Sequence, residues 1–463
     1  MFSTAVSTAK ARIMPNMKEK NDLVLAMDPR ALRALALIES SGAEAWLVGG
    51  CVRDALIGRT PHDFDIASSA PWKRTAQLFR AHGMRVIETG ARHGSICAVV
   101  DGLPVEITSY RIDGVYGDRR RPDSIAPADD IESDLARRDF TMNATAFHPQ
   151  RGLIDPFSGR RDMERDAIRC VGDASARFEE DPLRIMRALR FASQLGFSLD
   201  EAAEAAAARY AFLVRTVARE RVYSELVKLL EGPDAGETLR LYSRIAASSI
   251  CPDDERETAV WDRAMRDAAC AVAALPPDAA LRFAAIAACR DDDACAHAAL
   301  QNLKAPRRVR ERVRKLLEGA RRFESAHPTR RETWFAVHGL DGDTDLARDV
   351  LALREALAAS EQCAEQARRF IAIIEEMKRD RIPFKRSDLA VSGSDLAVEG
   401  IARGADMGPA LERLLIASGT GRAPNERAAL LALARDLSWA QAPRSSENLK
   451  KRSKTVDTHE SHQ

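Results

Sequence analysis

Apolar residues recur at helical spacing from 28 to 40, and Ala45-Trp46-Leu47-Val48 then stand together ahead of Gly49 and Gly50. The first pattern predicts an amphipathic helix. The second predicts a short buried strand that the glycine pair interrupts. Helical spacing resumes over 51–57 and stops at Gly58. Phe64 and Ile66 alternate with Asp63 and Asp65, which predicts a strand carrying both carboxylates on one face. Further strand patterns lie at 84–88, 95–100 and 104–108. After Asp155 the period changes. Residues 161–235 read as helices with capping signals, among them Asp181-Pro182, with Asp as N-cap and Pro at the first helical position. Residues 235–385 are almost wholly helical in pattern, and 386–440 form a smaller helical unit with its own glycines. No repeat of fixed period is present.

These patterns, in a chain of 463 residues, are too much for one core and predict several domains. Residues 1–28 are expected to be a flexible extension, 29–160 a mixed α/β unit, 161–235, 236–385 and 386–441 three helical units, and 442–463 a disordered end. The first eighteen residues are basic, small and hydroxylated, with no acid before Glu19. That composition suits a transit peptide, and equally an upstream start with Met17 as the working start. The chain holds 70 Lys+Arg against 69 Asp+Glu, a formal net charge of +1, so no global field draws it to nucleic acid. Eight scattered cysteines without a CxxC pair argue against a disulfide framework or zinc site and for a reducing, cytoplasmic setting. No apolar run is long enough to cross a bilayer, and no feature points to a protein partner.

Candidate chemistry begins at Gly49-Gly50. Glycines between strand and helix let backbone N–H groups approach an anion, and Arg53 stands in the first helical turn beyond. Asp63 and Asp65 repel one another unless a cation lies between them, and an all-oxygen set suits Mg²⁺. Glu106, between Val105 and Ile107, can add a third carboxylate. Each feature alone has a plain explanation as a turn, a pair of solvated acids or an exposed strand edge.

Their order and spacing change that. The run 47–69, LVGGCVRDALIGRTPHDFDIASS, resembles the signature of polymerase-β-like nucleotidyltransferases, and more closely that of class II tRNA nucleotidyltransferases (CCA-adding enzymes) and bacterial poly(A) polymerases. Glu106-Ile107-Thr108-Ser109-Tyr110-Arg111 resembles the family's third-carboxylate segment, Arg137-Arg138-Asp139-Phe140-Thr141-Met142-Asn143-Ala144 its ribose-selecting motif, and Arg177-Phe178-Glu179-Glu180-Asp181-Pro182-Leu183-Arg184 its base-selecting motif. Ordered matches run from about 45 to 230.

The resemblance implies an α+β chain, with a polymerase-β-like head at 29–160 followed by an all-α neck, body and tail. It implies transfer of C, C and A to the 3′ end of tRNA from CTP and ATP, with release of pyrophosphate in a two-metal scheme. Asp63, Asp65 and Glu106 would be the catalytic and metal-binding carboxylates, and Mg²⁺ the cofactor. Gly49, Gly50 and Arg53 would hold the triphosphate. Arg138, Asp139 and Asn143 would orient the nucleotide, Asp139 by accepting from a ribose hydroxyl. An ionised Asp only accepts hydrogen bonds and an Arg only donates them, so Asp181 and Arg184 match the amino donor and ring-nitrogen acceptor that cytosine and adenine share. Arg187 and Arg190 would reach the phosphates or the base.

The RNA partner would be the tRNA acceptor arm. The segment 304–322 holds nine basic residues opposed only by Glu311 and Glu318, with Arg307, Arg308, Arg310, Arg312, Arg314 and Lys315 as candidate contacts. Val309, Val313, Leu316, Leu317 and Ala320 repeat at helical spacing and predict a buried stripe beneath them. Two alternatives remain: a relative making A-only, CC-only or poly(A) products, and an inactive RNA-binding relative, which the three carboxylates argue against. Thr89-Gly90-Ala91-Arg92-His93-Gly94-Ser95 and Arg111-Ile112-Asp113-Gly114-Val115-Tyr116 resemble the tRNA-specific branch. The loop 117–123 resembles the element that full CCA enzymes use in switching from C to A, with Arg119 where many relatives have Gly.

Overall fold

Helix α2 (Pro29–Ser40) starts where the sequence predicts. Asp28 accepts from the Arg30 N–H at 2.8 Å, Pro29 occupies the first turn, and Ala31, Ala34, Leu35 and Ile38 face the core. The computed structural model describes residues 20–436 apart from 89, 92–93, 114–124, 252–253, 291 and 326–327. Residues 1–19, the loop 117–123 and the end 442–463 therefore lie outside the described residues, as do Thr89, Arg92 and His93.

Two compact units divide between Glu311 and Arg312. In the first, β1 (Ala45–Val48), α3 (Gly50–Leu56), β2 (Phe64–Ser68), α4 (Trp72–Ala81), β3 (Arg85–Ile87), β4 (Ser95–Val100) and β5 (Leu103–Ser109) follow in order. The short strands β6 (Arg111–Asp113) and β7 (Ile125–Pro127) pair with each other, ahead of α5 (Ile131–Ala136), β8 (Ala146–His148) and β9 (Gly152–Ile154). One seven-stranded sheet results, in the order β3-β4-β5-β2-β1-β8-β9. Only β2 and β5 pair parallel within it, placing Asp65 opposite Glu106. The alternation of Val105, Glu106 and Ile107 appears as buried, exposed, buried.

The expected flexible extension 1–28 needs correction at its end. Residues Lys20–Ala26 form α1, and Leu23 and Met27 are each only 3% exposed. Their burial outweighs the polar composition that precedes them. The pattern predicts none of β6, β7, β8 and β9, three-residue strands that, unlike β3, lie in no longer strand-like run.

Beyond the sheet come α6 (Gly159–Met163), β10 (Ala167–Ile168), α7 (Ala174–Glu180), α8 (Leu183–Leu195), β11 (Ser198–Leu199), α9 (Glu201–Tyr210) and α10 (Arg219–Leu230). Helix α8 buries Leu183, Ile185, Met186, Ala188, Leu189, Phe191, Ala192 and Leu195, and Gly196 ends it at φ +74°. The rest of this unit is helical to Glu311.

The second unit is helical too, with a distinct apolar cluster of Val391, Leu396, Ala410, Leu414 and Leu430 among its later residues. Trp334 is fully buried, donates from Nε1 to the Pro383 carbonyl at 2.8 Å, and stacks on His338. A Cβ at Gly419 would fall 1.9 Å from its indole ring. Gly419→Ala should therefore overpack this contact and cost about 1–3 kcal/mol. Urea unfolding followed by tryptophan fluorescence should show a lower midpoint; an unchanged midpoint would mean that the indole can yield.

Candidate active site

Gly49 takes φ +73°, a backbone conformation that side chains strain to adopt, at the junction of β1 and α3. A Cβ there would meet Arg138 Nη1 at 2.9 Å, Asp65 Oδ2 at 3.7 Å and the Asn143 carbonyl at 4.0 Å. The glycine is thus the point about which three of the sequence-predicted residues gather. Its N–H bonds the Thr145 carbonyl at 3.3 Å, tying the turn to the approach of β8.

The carboxylates lie beside this turn. Asp65 is half-buried on β2, while Glu106 and Asp63 are exposed. Asp63 sits one residue before β2, since the strand begins at Phe64. Burial pushes the Asp65 carboxyl up to about 6, with the charges of Glu106 and Asp63 adding to the rise and Arg138 opposing it. Both neighbouring acids therefore act on Asp65 electrostatically. Among the described residues, however, no three His, Cys, Asp or Glu side chains converge closely enough to ligate an ion as they stand. The donor set still suits a hard divalent cation: all its atoms are oxygens, and their mutual repulsion is what a cation relieves.

The second half of the site is a charge network. Arg53, 9% exposed, donates from Nη1 to Asn143 Oδ1 at 2.8 Å and from Nε and Nη2 to Asp54. Three of its five N–H groups are so used, and one on each terminal nitrogen remains for an anion. Asn143 Nδ2 donates to Asp139 Oδ1 at 3.1 Å. That oxygen also accepts from the Phe140 N–H, and Arg187 donates to Oδ2 from Nε at 2.8 Å and Nη2 at 2.5 Å. Arg138 pairs with the fully buried Asp134 at 3.2 Å, and its Nε is buried without a partner.

These contacts revise several expectations. Asp139 has its acceptor positions filled from within the chain. Arg187 and Arg190 do not extend toward open space: Arg187 holds Asp139, and Arg190 lies 2.8 Å from Glu225 without hydrogen-bond alignment. The buried Asp139 needs a counter-charge at hand, as does Arg190 with its side chain 13% exposed, which explains both pairings. Asp181 and Arg184 are not hydrogen-bonded to each other through their side chains. Asp181 accepts from the Leu183 N–H at 3.1 Å and lies 3.4 Å from Arg221. The predicted capping is displaced by one residue: Pro182 is the N-cap of α8 and Leu183 its first helical residue, with Asp181 one position earlier. Arg184 turns back to Glu180 Oε2 at 2.7 Å and to the carbonyls of Arg177 and Arg137. Asp134, Glu180, Arg221 and Glu225 escaped the sequence reading. For Asp134 a signal existed, because it stands three and four residues before Arg137 and Arg138 on one helical turn.

In the helix Arg307–Ala320, Val313, Leu316 and Leu317 are buried as the stripe predicted. Its basic residues divide. Arg312 pairs with Asp349, Arg314 with Glu318 and Lys315 with Asp341, whereas Arg307 and Arg308 are exposed.

Burial alone would raise the Asp139 carboxyl, but Arg187 and Asn143 hold it well below the usual carboxylate range. A group with a depressed folded pKa stabilises fully above its unfolded value, near 4, and loses that contribution as pH falls further. The stability gap between the wild type and Asp139→Asn should therefore be constant above about pH 5 and shrink below about pH 4. Chemical denaturation at several pH values measures it, and a gap independent of pH would contradict the assignment.

Residues 45–169 match the poly A polymerase head domain, 196–244 the RNA and SrmB-binding site of polymerase A, and 278–434 the tRNA nucleotidyltransferase domain 2. The CCA-adding enzyme of Latilactobacillus sakei is 43% identical over 223 residues, 48% of this chain and 55% of that protein. That of Geobacillus thermodenitrificans is 44% identical over 229 residues, 49% of this chain and 56% of that protein. The chain thus spans about half the length of the curated relatives it matches. The Bacillus stearothermophilus CCA-adding enzyme in complex with CTP superposes with a TM-score of 0.69 at 29% identity, over 89% of this chain and 98% of that one. The Thermotoga maritima CCA-adding enzyme complexed with tRNA shares the fold, with a TM-score of 0.63 at 20% identity over 92% of this chain and 100% of that one. With the three family matches following one another in chain order, the chain belongs to the family of class II tRNA nucleotidyltransferases and bacterial poly(A) polymerases.

Proposed function

We propose that this protein adds C, C and A, without a template, to the 3′ end of tRNA from CTP and ATP. The observation that carries the reading is the gathering of Asp65, Arg138 and Asn143 about Gly49, in a head whose relatives bear the name CCA-adding enzyme. In the reaction the RNA 3′-hydroxyl attacks the α-phosphate, the bond to the β-phosphate breaks, pyrophosphate leaves, and the hydroxyl proton is lost. Nucleotidyltransferases generally use a divalent metal, and here we assign Mg²⁺ to Asp63, Asp65 and Glu106. Bound there, one Mg²⁺ would lower the pKa of the attacking hydroxyl and a second would neutralise the leaving phosphates.

The chain's own groups do the remaining work. The Gly50 backbone and the two unused N–H groups of Arg53 hold the triphosphate, while Gly49, its own N–H taken by Thr145, gives the turn its shape and lets Arg138 approach. Arg138, with its orphaned Nε, meets the nucleotide beside Asp65. Asp139 takes the ribose hydroxyl by exchanging it for one of its internal donors, with Asn143 as the neighbour that gives way. Asp181 and Arg184 read the base once Arg184 leaves Glu180. A site that pairs these groups with C or A sets acceptor against acceptor for U or G. The eight cysteines are free thiols, which suits the cytoplasmic setting expected for tRNA maturation. Among the described residues no helix is long and apolar enough to cross a membrane.

Purified protein given tRNA ending at the discriminator base, with CTP and ATP together, should extend it by two C and one A and stop. Long A tails, or C addition alone, would replace this reading with that of a poly(A) or CC-adding relative. In the same assay Asp65→Ala should abolish incorporation. Asp181→Ala should admit UTP or GTP while losing less activity than Asp65→Ala.

We assign the exposed Arg307 and Arg308 to phosphate contact, since the acids near Arg312, Arg314 and Lys315 already share those charges. Arg307→Ala with Arg308→Ala should weaken tRNA binding and reduce the slope of log affinity against log salt by about 1–2, roughly one phosphate for each charge removed. An unchanged slope in salt-dependent binding measurements would move the RNA site elsewhere.

A further inference from the structure

We propose that Phe191 is a positioning residue for nucleotide binding, a single phenyl ring that sets three arginines of the site. Its ring lies 5.1 Å from the guanidinium of Arg53, 5.6 Å from that of Arg187 and 4.1 Å from that of Arg190. Phe191 is 4% exposed, and it meets the fully buried Phe140 edge-on, with centroids 5.8 Å apart and planes at 86°. Two of the arginines share its helix. Arg53 and Phe140 come from the sheet-bearing part of the chain, and Phe140 directly follows Asp139. The ring is thus the common neighbour of cations from both sides of the site.

Three guanidinium groups around one ring repel each other. Each has a carboxylate to offset this: Asp54 for Arg53, Asp139 for Arg187 and Glu225 for Arg190. The ring contributes something the acids do not. Its π face attracts cations without taking up an N–H group, so it restrains the arginines and leaves their donors available. A long arginine side chain loses considerable rotamer freedom when it grips a phosphate. Restraining it beforehand reduces what triphosphate binding must supply. The acids hold charge in place, and the ring holds geometry.

This inference rests on the transferase reading, and the test separates the two. Mono-, di- and trifluoro-phenylalanine at position 191 keep nearly the same ring size while progressively weakening the negative face. KM for CTP should rise stepwise through the series, reaching about threefold to tenfold at trifluoro-phenylalanine, while KM for tRNA, kcat and Tm stay near wild type. Phe191→Leu should show the same selective rise in CTP KM, and Phe191→Tyr, which keeps the face, should restore it. A flat CTP KM across the series, or a fall in kcat and Tm with KM for both substrates rising together, would overturn the proposal and leave Phe191 a packing residue. Thermal protection by inorganic triphosphate, measured in parallel, needs no turnover. Ring-dependent protection in a protein that incorporates no nucleotide would refute the transferase reading and leave this inference standing.

Discussion

Asp139 is 8% exposed and still carries its charge, and taking a carboxylate out of water costs several kcal/mol unless donors compensate. The donors come from three places: the backbone of the next residue, the side chain of Asn143, and Nε and Nη2 of Arg187 on α8. Much else at the site depends on meeting that cost. Asn143 is fixed by its bond to Asp139 and so holds Arg53 through its other end. Arg187 is drawn to Asp139 and brings α8 against the sheet-bearing part of the chain. Phe140 enters the core beneath, where it meets Phe191.

Neutrality is kept locally as well as globally. Arg53, Arg138, Arg187 and Arg190 each have a carboxylate within 3.2 Å. The near-zero formal charge of the whole chain is therefore repeated inside the proposed nucleotide site. A polyanion entering such a site exchanges partners with the resident acids and meets no unopposed positive field. This is why composition gives so poor a guide to what the chain binds.

The elements that carry the site were largely legible. The apolar block at 45–48, the glycine pair and the spacing of Asp63, Asp65 and Glu106 are local signals, and the structure puts strand, turn and strand where those signals lie. The pairings were not legible. Asp139 and Arg187 lie 48 residues apart, and periodicity carries no information about which distant charges meet. The resemblance implied that Arg187 and Arg190 reach the phosphates or the base, whereas the fold sets them against Asp139 and Glu225. Helix α1 was hidden by the polar stretch beside it. The expected switch loop at 117–123 and the ends of the chain lie outside the described residues.

The dependence of Asp139 on Arg187 also decides how much of this chain forms a transplantable unit. A fragment ending at 169, the limit of the head-domain match, would contain every proposed catalytic carboxylate. It would also contain a buried anion stripped of its main cation, and an Asn143 and Arg53 left to find new partners. Helix α8 supplies the missing charge and the ring beside it, so a fragment that keeps the proposed site's pairings intact runs past Leu195. In a chimera made by domain grafting, the working junction would lie beyond that helix, well inside what the sequence divides off as a separate neck.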